Sequence, residues 1–198
     1  VKNSGSGIRH YESKNVVLRD NYVLGHFGMH SSGINIYEGC RDVLLEGNYI
    51  QNVVAINRSA ENITLRNNVV DSMGRNAAPV SIWQSGTSGG THIRGLTFEN
   101  NTLVNINRSR PWSTSIFVQK AAGGPPKGLV LRDNVLAFTA PTLPGKKSGN
   151  LFLEAVDAPL LADGGNVETE RSRVFMDAGA GDFRRRPGGP LPKAGADV

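Results

Sequence analysis

Five nine-residue stretches decide the fold: NVVLRDNYV (15–23), DVLLEGNYI (42–50), NITLRNNVV (62–70), GLTFENNTL (95–103) and GLVLRDNVL (128–136). They align without an internal gap. Each carries an asparagine before its final pair, at Asn21, Asn48, Asn68, Asn101 and Asn134. Ahead of it two apolar positions alternate: Val16/Leu18, Val43/Leu45, Ile63/Leu65, Leu96/Phe98 and Leu129/Leu131. A period of two means a strand with one buried face. Beyond the asparagine, Val23, Ile50, Val70, Leu103 and Leu136 supply one further inward residue on a short strand.

A second series lies between these stretches. GIRHYES (7–13) and GINIYEG (33–39) match closely, and VAINRS (54–59), VSIWQS (80–85), IFVQKA (116–121) and LFLEA (151–155) keep the alternation. Each period therefore holds three short strands and three turns. The asparagine spacings of 27, 20, 33 and 33 residues are too irregular for propeller blades but tolerate loops inserted in the turns. One apolar face per short strand cannot be buried alone. Stacking successive periods ~4.8 Å apart makes a continuous apolar column, each strand pairing in parallel with its copy in the next period. The asparagines would then stack as a ladder at one sharp turn, where this residue type tolerates left-handed backbone and its amide bonds the next coil.

Composition agrees. The 198 residues suit about one domain and are 38% apolar and 20% charged, so the chain is neither disordered nor membrane-embedded. Glycine (24) and asparagine (18) favour turns over helices. A lone cysteine, Cys40, excludes a disulfide framework and reads as a small buried residue. Nothing at the start resembles a signal peptide, and the opening VKNSGSGIRHYES reads as the middle of something longer. The net charge of +5 is uneven: +1 over residues 1–100, +6 over 101–147 and −2 over 148–198. One basic band suggests a local anionic partner. Nucleic-acid binding would require a wider basic surface with interleaved aromatics.

With this strand–x–Asn–x–apolar grammar the sequence resembles the right-handed parallel β-helix, or pectate-lyase-like, family over about residues 5–155. The expectation is an all-β solenoid of about five to six coils, truncated at its N-terminus, with coils over 1–155 and a closing segment over 156–198. Gly181, Asp182, Phe183 and Arg184 resemble the sealing run of bacterial β-helices, from which Arg185, Arg186 and Gly189 depart. The fold hosts lyases, hydrolases, epimerases and adhesins alike, so chemistry has to come from the site.

The resemblance implies a functional groove along the outside of the first strand of each coil. In-register alignment sends Ile8, Ile34, Val54, Val80, Ile116 and Leu151 inward. It sends Arg9, Asn35, Ala55, Ser81, Phe117 and Phe152 outward. A further outward row holds Tyr11, Tyr37, Asn57, Trp83, Gln119 and Glu154, and the strand ends hold Glu12, Glu38, Arg58, Gln84 and Lys120. Aromatic faces on a solvent-facing row suit sugar rings, whereas the same ladders also stabilise bare sheets. His10 falls at an inward position and reads as a core histidine.

The short link before Val54, set between longer loops, predicts a cleft floored by Asn57 and Arg58. Its walls would carry His26, His30, Arg75, Arg108, Arg110 and Trp112, with His92, Lys120 and Lys127 opposite. The fitting chemistry is β-elimination on a uronate-containing polysaccharide, which needs a base and a cation for the developing enediolate. Arg58, Lys120, His30 and Tyr37 are the catalytic candidates, and Asn57, Trp83, Arg75, Arg108, Arg110 and Trp112 the substrate-binding ones. No facing aspartate pair supports glycoside hydrolysis. No cofactor is expected, and a calcium ion would find only Glu38 with Asn35 and Asn57. The sequence thus predicts a secreted or cell-surface protein with an acidic polysaccharide as partner, no nucleic acid and no membrane span. The alternative is a non-catalytic module: an adhesin, a tailspike-like shaft or a spacer.

Overall fold

The computed structural model describes residues 5–24, 31–72, 78–84, 93–104, 114–119, 126–137, 145–153, 165–169, 171–180, 182–190 and 193–196. Alternating apolar residues form short strands that gather into three parallel sheets, visited in rotation as far as Val135–Ala137. The first sheet holds Ile8–His10, Ile34–Ile36, Val54–Asn57, Val80–Trp83 and Ile116–Val118. The second holds Lys14–Arg19, Arg41–Glu46, Glu61–Arg66, Arg94–Glu99, Val130–Arg132 and Lys146–Ser148. The third holds Tyr22–Val23, Tyr49–Gln51, Val69–Asp71, Thr102–Val104, Val135–Ala137, Leu151–Leu153 and Val167–Thr169. Among the described residues there is no α-helix, and no helix long and apolar enough to cross a membrane.

Registers follow the sequence alignment. Ile8 faces Ile34, which faces Val54, then Val80, then Ile116. Val43, Ile63 and Leu96 stack likewise in the second sheet. These inward residues form one continuous core with Ile36, Ile56, Leu65 and Phe98, all fully buried. Cys40 is buried and unpaired, donating its Sγ–H to the His10 carbonyl at 3.4 Å. His10 faces Ile36, half-buried, with its Nε2 shielded from solvent.

The asparagines do form a ladder, but it is longer than the nine-residue motif reveals. The backbone N–H and Nδ2 of each donate to Oδ1 of the next, from Asn21 through Asn48, Asn68, Asn101, Asn134 and Asn150 to Asn166. From Asn48 to Asn150 Nδ2 also reaches a carbonyl one circuit back, such as Leu18 or Leu45 at 2.9 Å. The left-handed residue is not the ladder asparagine, as expected, but the one before it: Asp20, Gly47, Asn67, Asn100, Asp133, Gly149 and Gly165 all have φ between 51° and 65° or, at Gly165, 69°. That residue turns the corner and frees the asparagine to point inward.

Two further expectations are corrected. Leu151 sits in the third sheet beside Val135, not in the first beside Ile116, because the asparagine interval has contracted to 16 residues. Parallel stacking also runs past 155, to Thr169. After that an antiparallel pair, Phe175–Asp177 with Asp182–Arg185, folds against the outer face of the third sheet. Val174, Phe175, Phe183, Ala194 and Ala196 bury Val69, Val104 and Val135 there, and the Ala196 N–H donates to Thr102 Oγ1 at 3.1 Å.

Candidate functional site

The site grows from the first sheet. Its strands alternate, so Tyr11, Tyr37, Asn57 and Trp83 emerge on the outer side in consecutive circuits, one strand step of about 4.8 Å apart. Their backbones are locked in place: the Tyr37 N–H donates to the His10 carbonyl at 2.9 Å, Asn57 and Trp83 are register partners, and the Arg58 N–H donates to the Trp83 carbonyl at 3.0 Å. The next row out departs from expectation. Asn35, Ala55 and Ser81 are buried rather than solvent-facing, and Asn35 Nδ2 donates to Ser6 Oγ at 2.5 Å.

Past the strand ends the backbone turns left-handed at Glu12, Gly39 and Ser59, and the Gly39 N–H donates to Ser59 Oγ at 3.3 Å. The registers before and after this turn differ by one residue. Ile8 faces Ile34, yet Lys14 faces Arg41. Glu12 therefore stands over Gly39 and not, as expected, over Glu38. In the next circuit the register does not change, Ile34 facing Val54 and Arg41 facing Glu61, so Glu38 stands directly beside Arg58.

Tyr11, Tyr37, Glu38, Asn57, Arg58 and Trp83 line a single open depression of about 340 Å³. The rings of Tyr11 and Tyr37 stack at 4.0 Å and 7°, so each spends one face on the other. The Tyr11 hydroxyl is held above the ordinary phenol range, chiefly by its hydrogen bond to Tyr37 and then by burial. A phenol shifted upward is a poor base. Trp83 is 39% exposed and tilts against Phe117 at 5.3 Å and 56°. Asn57 forms the floor between Tyr37 and Trp83, its Nδ2 donating to the Ile36 carbonyl at 3.4 Å. Arg58 meets Glu38 at 3.6 Å, both side chains about half exposed. Such an exposed, long pair contributes little and exchanges readily for another anion.

The structure thus brings together four of the expected residues: Tyr37, Arg58, Asn57 and Trp83. Of the others, His26, His30, His92, Lys120, Arg75, Arg108, Arg110 and Trp112 lie outside the described residues. Sequence reasoning placed Glu38 next to Arg58 in the row but missed the ion pair between them, which the unchanged register of these two circuits creates. It also missed a second aromatic pair, Tyr22 on Tyr49 at 4.8 Å and 25°, on the third sheet. Its signal was the shared NY of NYV and NYI. Burial and the nearby Asp71 charge push the Tyr49 hydroxyl up.

The donors proposed for calcium do not fit that ion. Glu38 is engaged by Arg58, and Asn35 is turned to Ser6. Among the described residues, no three His, Cys, Asp or Glu side chains gather as a metal site. No family model, curated protein or solved structure matches the chain.

Proposed function

We propose that this chain is a right-handed parallel β-helix of the pectate-lyase-like kind, secreted or displayed at a cell surface, that binds an acidic polysaccharide along the outside of its first sheet. The observation that carries this reading is the clustering of Tyr11, Tyr37, Asn57, Trp83 and Arg58 in one depression that crosses consecutive circuits. Flat amphipathic rings at regular steps suit the apolar faces of sugars, and a guanidinium among them suits a carboxylate or sulfate in bidentate fashion. A ligand touching all of them is extended and runs along the stack. Shallow, open sites of this shape grip polymers rather than enclose small molecules.

Cleavage is the further step of the same reading. In β-elimination a base removes the proton α to the uronate carboxylate, the C–O bond to the leaving sugar breaks, and that oxygen takes up a proton as the ring double bond forms. Arg58 supplies the cation for the enediolate. Tyr37, Lys120 and His30 are the candidate bases.

The test is binding and turnover together. Trp83→Ala is expected to weaken retention on an alginate, pectate, chondroitin or hyaluronan affinity gel by about tenfold, the loss of one stacked ring. Arg58→Ala is expected to weaken it by about three- to tenfold, with a smaller effect at high salt. Ultraviolet absorbance from an unsaturated uronate reports the lyase step. No glycan retained by the parent protein, and no absorbance with any of the four, would remove the reading.

The second reading is a non-catalytic module. It is favoured by the Tyr11–Tyr37 stack, in which the two rings satisfy one another as cross-strand pairs do in bare sheets. Glycan retention without turnover supports an adhesin-like member of this class, and retention unchanged in both variants supports a spacer.

A further inference from the structure

The charges around the depression define which acidic glycan it takes, if the glycan-binding reading holds, on which this inference rests. Arg58 is the one cationic side chain lining the depression among the described residues, and Glu38 lies beside it. Toward Trp83 the row continues with Gln84, which is neutral, buried and turned so that its Nε2 donates to the Gln119 carbonyl at 3.2 Å. Toward Tyr11 the row carries the Glu38 carboxylate, half exposed and close enough to the Tyr11 hydroxyl to help push it upward. Arg9, exposed on the next circuit, acts on the Tyr11 hydroxyl in the opposite sense. Among the described residues the charges therefore alternate in sign over three circuits, Arg58, Glu38 and Arg9, and form no unbroken positive track.

A ligand lying along the stack advances roughly one ring per strand step of about 4.8 Å. An acid group over Arg58 displaces Glu38 from it and is held. An acid group on the neighbouring ring, over Tyr37, meets the Glu38 carboxylate that Arg58 has just released, at a separation where like charges repel. Rings without charge meet only Tyr37, Asn57 and Trp83 and stack at no electrostatic cost. Polymers with an acid on every ring are therefore penalised, and polymers with an acid on alternate rings are not.

We propose that the depression selects acidic heteroglycans whose charge recurs on every second ring, and discriminates against homopolymeric uronates. Glu38 is the residue that sets this choice, acting by repulsion rather than by contact.

The experiment measures dissociation constants at low salt for hexamers of hyaluronan, of galacturonate and of neutral chitin with the parent protein, Glu38→Gln and Trp83→Ala. The hyaluronan hexamer is expected to bind the parent about three- to tenfold more tightly than the galacturonate hexamer. Glu38→Gln is expected to close most of that gap by strengthening galacturonate binding, with little change for chitin. Galacturonate binding as tight as hyaluronan in the parent, or a gap that persists in Glu38→Gln, overturns the selectivity. In either case a loss of affinity in Trp83→Ala leaves the glycan site itself standing. No measurable binding of any hexamer overturns both.

Discussion

Asn68 concentrates the logic of the stack in one side chain. Its backbone N–H and Nδ2 donate to Asn101 Oδ1 at 3.0 Å, while its Nδ2 also reaches the Leu45 carbonyl at 2.9 Å. Its Oδ1 accepts from the N–H and Nδ2 of Asn48 at 3.0 and 2.8 Å. The residue is fully buried, so each of these groups depends on the ladder rather than on water. Asn68→Ala is expected to cost about 2–4 kcal/mol, because the Asn48 N–H, one of the two Asn48 Nδ2 bonds and the Leu45 carbonyl lose the partner that Asn68 supplies in the buried ladder. Asn21 stands at the end of the ladder, half-buried, and donates only to Asn48 Oδ1 and the Arg19 carbonyl. Asn21→Ala is expected to cost about 1 kcal/mol. Urea denaturation of both variants checks the contrast, and equal losses would show that the ladder is not the device holding the circuits in register. Asn68 was legible in the sequence because apolar alternation framed it. Its left-handed neighbour Asn67 was not singled out, since two adjacent asparagines leave open which one turns the corner.

Strands add a second ladder on the outside. In the second sheet Arg19, Glu46, Arg66, Glu99 and Arg132 face one another in register, alternating in sign. Glu46 bridges Arg19 at 2.7 Å and Arg66 at 2.5 Å, and Arg132 pairs with Glu99. The Arg66 hydrogen bond, ahead of that from Arg19, holds the Glu46 carboxyl below the usual range. A carboxyl with a lowered folded pKa stabilises above its unfolded value, about 4.3, and that contribution disappears as pH falls through the folded one. Glu46→Gln is therefore expected to lower the urea midpoint at pH 7, by a margin that shrinks as pH falls from 7 to 3. A deficit of equal size at both pH values would mean that Glu46 acts by packing rather than charge. Opposite charges also fix which strand pairs with which, since a slipped circuit would set like charges together. These rows were readable only after the register was known. The same holds for the C-terminal circuits: KKSGNLFL offers lysines where earlier copies have apolar residues, so the repeat of Asn150 fell below the pattern although its hydrogen bonds are identical in kind. The depression on the first sheet was half legible. The aromatic row and the placing of Glu38 beside Arg58 follow from strand period, but the shift of Glu12 onto Gly39 depends on one residue fewer in its turn, which periodicity does not register.

The three sheets are finished differently, and that difference governs where ligands can bind. The third sheet's outer row, Val69, Thr102 and Val135, is sealed by the chain's last segment. The first sheet leaves Tyr11 and Trp83 exposed. The covering segment is itself clamped: Arg185 donates to the carbonyls of Ala194 and, at 2.7 Å, Pro190, while Phe175 meets Phe183 edge-on at 5.4 Å. Asp182, held down to about 2 by Arg184, keeps its charge through the physiological range. Gly195 is where this segment touches the stack. Its φ is +91°, its N–H donates to the Asp133 carbonyl at 2.7 Å, and a Cβ there would lie 2.8 Å from Val135 Cγ2 and 3.0 Å from Thr102 Oγ1. No side chain fits without displacement. Gly195→Ala is expected to cost about 1–3 kcal/mol through left-handed strain and overlap. Phe183→Ala is expected to cost about 3 kcal/mol or more by emptying the same small core. Both losses belong to the cover rather than to the main column around Ile36, Ile56 and Phe98. Limited proteolysis followed by mass spectrometry separates the two cores: cleavage within 171–196 should accelerate in both variants while residues 31–72 and 93–104 stay protected. If instead the whole chain is degraded at one rate, the cover and the column unfold together, and the third sheet's sealed face is part of what keeps the first sheet's aromatic row in place.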